Sequence, residues 1–93
     1  MGLLICLFEI TLSQRAKKSS KKFPDYQKHR IIELLFVLRE NPVPAEHYDI
    51  KKLQGFKDTF RARIGDVRII YEVFWDRQEI NVLVIEHRET AYS

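Results

Sequence analysis

The chain has 93 residues, of which 45% are hydrophobic and 31% charged, and its formal net charge is +3. This length suits one domain, and the large apolar fraction excludes an intrinsically disordered chain. The single cysteine, Cys6, excludes an internal disulfide framework and offers no cysteine cluster for a metal. We therefore expect a single domain over residues 1–93, with no metal and no cofactor.

The first predicted element is a β-strand at residues 3–12, "LLICLFEITL", which is rich in Leu, Ile and Phe. Its apolar run is far shorter than the roughly 20 residues of a membrane span. It also lacks the basic flank and cleavage site of a signal peptide. We expect a buried strand, no membrane segment, and a soluble, unprocessed protein of the cytoplasm.

Two helices are predicted next. Ser13 can cap a first helix that runs from Gln14 to about Phe23, and Pro24 suits the first turn of a second helix. The second helix has apolar residues at helical spacing on one side, namely Ile31, Leu34, Leu35 and Leu38. The segment "NPVP" ends it, because the residue before a proline is disfavoured in the α conformation.

Residues 45–57 are predicted to connect the helices to three strands. These strands are Thr59–Ile64, Val67–Trp75 and Ile80–Glu86, separated by "GD" and "DRQE". The predicted order is β-α-α-β-β-β. The predicted fold class is α+β, with two helices packed on one face of a mainly antiparallel four-stranded sheet.

Charge is distributed unevenly along the chain. Residues 1–30 contain seven Lys or Arg and two acidic residues, whereas residues 31–93 contain nine bases and eleven acids. Such asymmetry favours a surface that binds a polyanion, and the alternative is an ordinary solvated helix face.

The segment "FRARIGDVRIIYE", residues 60–72, predicts a hairpin that carries three arginines. A two-residue turn at Gly65 and Asp66 would place Arg63 opposite Arg68, with Arg61 on the same face. Like charges directly across two strands are destabilising, so the cluster is predicted to bind an anion. The planar fork of arginine suits phosphate. The alternative is that these arginines cover an exposed face and pair with carboxylates.

The next hairpin extends this hypothesis. If "DRQE" is a symmetric loop, Trp75 pairs with Ile80 and His87 lies opposite Arg68. Arg63, Arg68 and His87 would then form one row across three strands.

Two residues near this row could transfer protons. His87 and Tyr92 carry an imidazole and a phenol, while Arg88 falls on the other face unless the strand twists there. Cations with an imidazole and a phenol suit a metal-free ribonuclease, in which the 2′-hydroxyl of the substrate is the nucleophile.

Two segments carry a family resemblance. "KKLQGFKDTFRARIGDVRIIYEV", residues 51–73, resembles the central signature of the RelE/ParE toxin superfamily. That signature is a K-L-x-G segment followed by an R-x-R-x-G-x-x-R-x-x-Y hairpin. "HRETAY", residues 87–92, resembles its closing motif, so the resemblance spans nearly the whole chain. Val67 stands where the family often has an aromatic residue, and the predicted register puts it on the core face.

The resemblance implies a toxin of a type II toxin–antitoxin system, and its RelE branch implies a ribosome-dependent mRNA endonuclease that cuts in the A site. The residues matching the active-site motif are Arg61, Arg63, Arg68, Arg88 and Tyr92, beside which His87 is an additional candidate. By similarity, Arg61 and Arg63 would hold the mRNA, and Arg68 would stabilise charge on the scissile phosphate. Arg88 would act near the leaving 5′-oxygen, and Tyr92 would activate the 2′-hydroxyl or stack on a base. The general base is left open.

The resemblance also implies partners: a small, acidic, partly disordered antitoxin, the ribosome and mRNA. The lysines expected to bind RNA are Lys17, Lys18, Lys21, Lys22, Lys51 and Lys52. Two alternatives stay open. One is a ParE-like DNA gyrase inhibitor without nuclease activity, and the other is a non-catalytic RNA-binding homologue.

Overall fold

The structure is a computed structural model, and it describes residues 7–55 and 58–87. Its elements are β1 (Glu9–Leu12), α1 (Gln14–Ser20), α2 (Asp25–Glu40), β2 (Asp49–Lys52), β3 (Thr59–Ile64), β4 (Val67–Phe74) and β5 (Glu79–His87). The predicted α+β class is confirmed, and these residues form five strands where four were predicted. Within them, neither helix has the length and apolar character needed to cross a membrane.

The five strands form one sheet in the order β1-β5-β4-β3-β2. β1 is parallel to β5, and the other neighbours are antiparallel. Both helices contribute to a core on one face of the sheet, where α2 buries Ile31, Leu34 and Leu38. The opposite face carries no helix of the described chain, so polar side chains can line it.

The strand that the sequence did not predict is β2. It lies in the segment predicted as a connection, and it pairs antiparallel with β3, placing Asp49 opposite Arg63 and Lys51 opposite Arg61. Of its four residues only Ile50 packs against the core. An edge strand with a single apolar residue has no hydrophobic alternation, which is why its sequence gave no signal.

The first helix begins where predicted and ends earlier. The Ser13 hydroxyl caps α1 by accepting a 3.0 Å hydrogen bond from the Ala16 N–H. The helix ends at Ser20 because the next residues turn, with the Lys22 N–H donating to the Ser19 carbonyl at 3.1 Å. This turn brings Phe23 into the core.

The arginine hairpin has the predicted register. Arg63 is opposite Arg68, and Gly65 adopts the positive φ of +57° that the turn requires. Val67 lies on the core face, as predicted, and is buried.

The register predicted between the last two strands is wrong. The loop is Trp75–Gln78 rather than residues 76–79, so Ile80 pairs with Val73 instead of Trp75. The earlier loop moves each partner on β4 by two residues, and a β-bulge between Ile70 and Tyr71 then moves it back by one residue. Because side chains alternate between faces, the two-residue change keeps the face of a side chain, whereas the one-residue shift at the bulge moves it to the other face.

The observed register changes the row of residues that was predicted to cross three strands. Arg68 is opposite Glu86, and His87 is opposite the core residue Val67. The row of Arg63, Arg68 and His87 is therefore a wrong prediction, and a carboxylate takes the place that was assigned to the imidazole.

The bulge is centred on Leu83, which has no partner on β4 because Val82 pairs with Tyr71 and Val84 with Ile70. The Ser13 hydroxyl donates a 2.7 Å hydrogen bond to the Leu83 carbonyl, so the cap of α1 also holds the bulge. Beyond the bulge, Ile85 is buried in the core.

Tyr71 joins the sheet to the segment after α2. Its side chain is fully buried, and its hydroxyl donates a 2.7 Å hydrogen bond to the Pro42 carbonyl. Burial raises the pKa of the Tyr71 phenol above its ordinary value, because the charged form would lose its hydration.

We expect Tyr71→Phe to lower the free energy of unfolding by about 1–3 kcal/mol, because it leaves the buried Pro42 carbonyl without a donor. Because the pKa of Tyr71 is raised in the folded state, unfolded chains lose the Tyr71 proton at a lower pH than folded chains do. The stabilisation of the fold by neutral Tyr71 is therefore complete below about pH 10 and is lost at higher pH. Denaturant unfolding between neutral and alkaline pH measures both effects.

The control is Tyr26→Phe, since Tyr26 is 65% exposed. This variant should keep wild-type stability within about 0.5 kcal/mol. Equal losses in the two variants, or a Tyr71 effect that does not shrink above pH 10, would contradict the assignment.

Candidate functional site

The face of the sheet opposite the helices gathers the cationic residues of the hairpin. It carries alternate side chains of each strand, among them Lys51 of β2, Arg61 and Arg63 of β3, and Arg68 of β4. The core residues of the same strands, such as Ala62 and Ile69, point to the other side and are fully buried. We call this surface, defined by Lys51, Arg61, Arg63 and Arg68, the open face.

One line of directly paired residues crosses four strands on the open face. Asp49 is opposite Arg63, Arg63 is opposite Arg68, and Arg68 is opposite Glu86. We call these four residues the charged row. Directly opposed residues have Cβ atoms about 4.5–5.5 Å apart, so the two central arginines are close enough to engage one phosphate.

Carboxylates pair with two of the three arginines. Arg68 binds Oε1 of Glu86 through both Nη2, at 2.9 Å, and Nε, at 3.0 Å. Arg61 binds Asp49 diagonally, with Nη2 at 3.1 Å from Oδ1. The expected repulsion between Arg63 and Arg68 is therefore balanced by a carboxylate at each end of the row. Pairing with carboxylates, the alternative considered for Arg61, is what the structure shows for this residue.

Arg63 differs from its neighbours. In the described ranges, 7–55 and 58–87, no carboxylate lies within ion-pair distance of its guanidinium. The Nε atoms of Arg61 and Arg63 are both buried and lack a hydrogen-bond acceptor among those residues. An unsatisfied buried donor costs about 1–3 kcal/mol, and more when it is charged. An anion on the open face would supply the missing acceptors.

The lysines predicted to bind RNA occupy two different surfaces. Lys51 lies on the open face opposite Arg61, whereas the Lys52 side chain is paired with Asp58, with Nζ at 3.9 Å from Oδ1. The remaining four are exposed on α1 and the turn after it, on the helical side of the sheet: Lys17, Lys18, Lys21 and Lys22. The structure thus places a basic helix and the charged row on opposite sides of the sheet.

His87 belongs to the helical side as well. Its ring stacks on Phe23, with 6.1 Å between the ring centroids. It also lines a cavity of about 400 Å³ together with Lys22, Gln27 and Glu86. The cavity meets the charged row at Glu86, while the imidazole itself is turned away from the row. Two further predicted site residues, Arg88 and Tyr92, lie outside the described residues.

Asp49 and Glu86 are the site residues that sequence reasoning missed. Asp49 belongs to the unpredicted edge strand, and the predicted register would turn Glu86 toward the core, away from Arg68. A signal for Glu86 was available in "INVLVIEH", because the apolar alternation through Ile80 and Val82 breaks before Ile85. Such a break indicates a bulge. Elsewhere, no group of three or more His, Cys, Asp and Glu among the described residues could hold a metal ion.

Comparison with known proteins decides the family. Residues 10–92 match the family described as ParE toxin of type II toxin–antitoxin system, parDE. The chain belongs to this family.

Relatives with RelE names share the sequence and the fold. A protein of Methanocaldococcus jannaschii named as a candidate toxin RelE1 is 38% identical over 86 residues, covering 92% of this chain and 96% of the relative. A chain of the archaeal RelE–RelB complex of Pyrococcus horikoshii OT3 has a TM-score of 0.81 and 32% identity, covering 88% of this chain and 96% of that one. A chain of the RelB–RelE complex of Methanococcus jannaschii has a TM-score of 0.72 and 26% identity, with 87% and 93% covered. The expected membership of the RelE/ParE superfamily is confirmed.

We expect Arg63→Met to stabilise the fold by about 0.5–1 kcal/mol. It removes one of two opposed like charges and a buried unpaired Nε, and it keeps an unbranched side chain that reaches the position of Nε. Denaturant unfolding measures the change.

The control is Arg15→Met on the exposed surface of α1, which should change stability by less than about 0.5 kcal/mol. A destabilised Arg63→Met variant would show that Arg63 is present for the fold and would weaken its assignment to ligand binding.

Proposed function

We propose that this toxin is a ribosome-dependent mRNA endonuclease, which cuts the message in the A site by metal-free attack of the 2′-hydroxyl on the scissile phosphate. The observation that carries the proposal is the set of three arginines on the open face, of which Arg61 and Arg63 keep buried Nε donors without acceptors. A phosphodiester is an anion that could satisfy several such donors at once.

Each arginine has a distinct proposed task. Arg63 and Arg68 are adjacent across the hairpin and would hold the scissile phosphate between them. Arg68 would stabilise the charge that grows on the phosphate in the transition state, and Arg61 would bind a neighbouring phosphate. Cleavage would leave a 2′,3′-cyclic or 3′-phosphate end and a 5′-hydroxyl end. A guanidinium stays protonated, so none of the three acts as a general base.

Three residues enter the proposal from the sequence. By resemblance, Arg88 would act at the leaving 5′-oxygen, and Tyr92 would assist the 2′-hydroxyl or stack on a base. His87 stays a candidate for proton transfer from the sequence alone, because its ring stacks on Phe23 away from the row.

The basic helix suits contact with ribosomal RNA. The exposed lysines of α1 and the turn after it lie opposite the open face. The two surfaces would let the toxin engage the ribosome on one side and the message on the other. Lys51, on β2, would extend the cationic surface beside Arg61, whereas Lys52 lies opposite the core residue Phe60 and is paired with Asp58. A ribosomal substrate implies that the toxin acts in the cytoplasm.

The expected protein partner is a small, acidic antitoxin that folds as it binds. The structures from Pyrococcus horikoshii and Methanococcus jannaschii are complexes of RelE with RelB, which supports such a partner here. An acidic, partly disordered segment could cover cationic surface and order itself on contact.

The description of the matched family also supports a second candidate, a ParE-like inhibitor of DNA gyrase. Such an inhibitor would act through protein contacts and would need no phosphate-binding row. The row of opposed arginines, of which Arg63 has no carboxylate partner among the described residues, favours the endonuclease.

We expect purified toxin to cleave an mRNA on programmed ribosomes and to leave the same mRNA intact in solution. Arg68→Ala should reduce the cleavage rate by about 10²- to 10³-fold, because it removes a donor to the developing charge. Sequencing of the cleaved ends measures position and rate.

The matched control is Arg77→Ala, since Arg77 is also paired with a glutamate, at 2.8 Å from Glu79, but lies in the Trp75–Gln78 loop. This variant should cleave like the wild type. If folded wild type leaves messages intact on ribosomes and inhibits gyrase supercoiling instead, the second candidate function replaces the first.

We also expect charge on α1 to set the salt dependence of ribosome binding. Each lysine that contacts a phosphate contributes about 0.7–0.9 to the slope of log affinity against log salt concentration. Replacing Lys17, Lys18, Lys21 and Lys22 by Gln should therefore lower that slope by up to about 3 in binding measurements over a salt series. Arg77→Gln serves as the control. An unchanged slope in the fourfold variant would remove the basic helix from the proposed ribosome contact.

A further inference from the structure

Glu86 ends the charged row on β5 and is held in one orientation. Both Nη2 and Nε of Arg68 donate to the same carboxylate oxygen, Oε1, at 2.9 and 3.0 Å. Within the described part of the chain no donor bonds the second oxygen, Oε2. The side chain is 26% exposed, so it is neither buried in the core nor free in solvent.

A metal-free attack by a 2′-hydroxyl requires a proton acceptor beside the scissile phosphate. The arginines of the open face cannot serve, since guanidinium groups stay protonated. His87 stacks on Phe23 on the helical side. The carboxylate of Asp49 lies at the far end of the row, two strands from Arg68, and binds Arg61. Glu86 is the carboxylate that contacts Arg68.

We propose that Glu86 is the general base of the cleavage reaction, an inference that rests on the proposed endonuclease function. Oε2 of Glu86 takes the proton of the 2′-hydroxyl as the 2′-oxygen forms a bond to phosphorus. The bond between phosphorus and the 5′-oxygen breaks, and the 5′-oxygen takes a proton from water. The products are a 2′,3′-cyclic phosphate and a 5′-hydroxyl, and Glu86 returns its proton to solvent.

The charges of the row suit a carboxylate in this position. A negative side chain beside a phosphate is ordinarily repelled, but Arg63 and Arg68 lie directly across from each other next to Glu86 and offset that repulsion. The two hydrogen bonds from Arg68 fix the carboxylate through Oε1 and leave Oε2 to accept the proton. One arginine thus positions the base and contacts the phosphate.

A competing role for Glu86 is purely structural. Its carboxylate could serve only to neutralise Arg68, which faces another arginine. Glu86→Gln separates the two roles, because the amide oxygen still accepts a hydrogen bond from Arg68 while the side chain no longer takes up a proton. A neutralising residue would affect folding or RNA affinity, and a general base affects the rate of the cleavage step.

The experiment measures single-turnover cleavage on programmed ribosomes at neutral pH, with saturating toxin, alongside ribosome affinity and melting temperature. Glu86→Gln should lower the cleavage rate by about 10²- to 10⁴-fold at unchanged or tighter affinity, which is the range for loss of a general base. Glu86→Asp should restore part of the rate.

One control variant makes the result specific. Glu79→Gln changes another carboxylate of β5, which is likewise paired with an arginine, and it should cleave like the wild type.

Two outcomes would overturn the inference while the wild type cleaves: Glu86→Gln cleaving at the wild-type rate, or Glu86→Gln cleaving faster because Arg68 is unmasked. Should Glu86→Gln fail to fold, a folded Glu86→Ala that cleaves at the full rate would overturn it equally. Absence of cleavage by wild type is a different result, since it contradicts the proposed function itself.

Discussion

The hydrogen bond from the Ser13 hydroxyl to the Leu83 carbonyl holds the β-bulge on which the site depends. If the register before the bulge continued, Ile85 would lie opposite Arg68 and Glu86 would point into the core. The bulge reverses this and puts Ile85 in the core and Glu86 beside Arg68. A single serine therefore caps α1 and bonds the bulge that sets which side chain reaches the open face.

Electrostatic balance is the second constraint on the open face. Two arginines opposed across a hairpin would repel each other, and a carboxylate at each end of the row offsets this repulsion. The balance is incomplete, because Arg61 and Arg63 retain buried Nε donors without acceptors among the described residues. Binding sites commonly keep such costs, since the ligand supplies the partners that the fold omits.

The two layers of the molecule divide the proposed tasks. The sheet holds the charged row in a fixed register, and the helical layer carries exposed lysines on the opposite surface. Members of one superfamily can share this architecture and act on different targets, because the fold sets positions while the side chains on the open face set the chemistry. For this chain the paired and unpaired arginines are what favour an RNA phosphate over a protein target.

The sequence by itself determined the α+β class, both helices and the pairing of Arg63 with Arg68. Those features depend on local signals: Ser13 as a cap, the apolar spacing of α2, and the tight turn at Gly65. The tertiary structure decided the edge strand β2 and the face of Glu86. Asp49 joins the site because β2 pairs with β3. The sequence of β2, "DIKK", has no apolar alternation that would predict a strand. Glu86 joins the site because the loop before β5 lies one residue earlier than predicted and because a bulge, held by Ser13, follows it. The contact between Ser13 and Leu83 joins residues 70 positions apart, so it leaves no periodic signal in either segment.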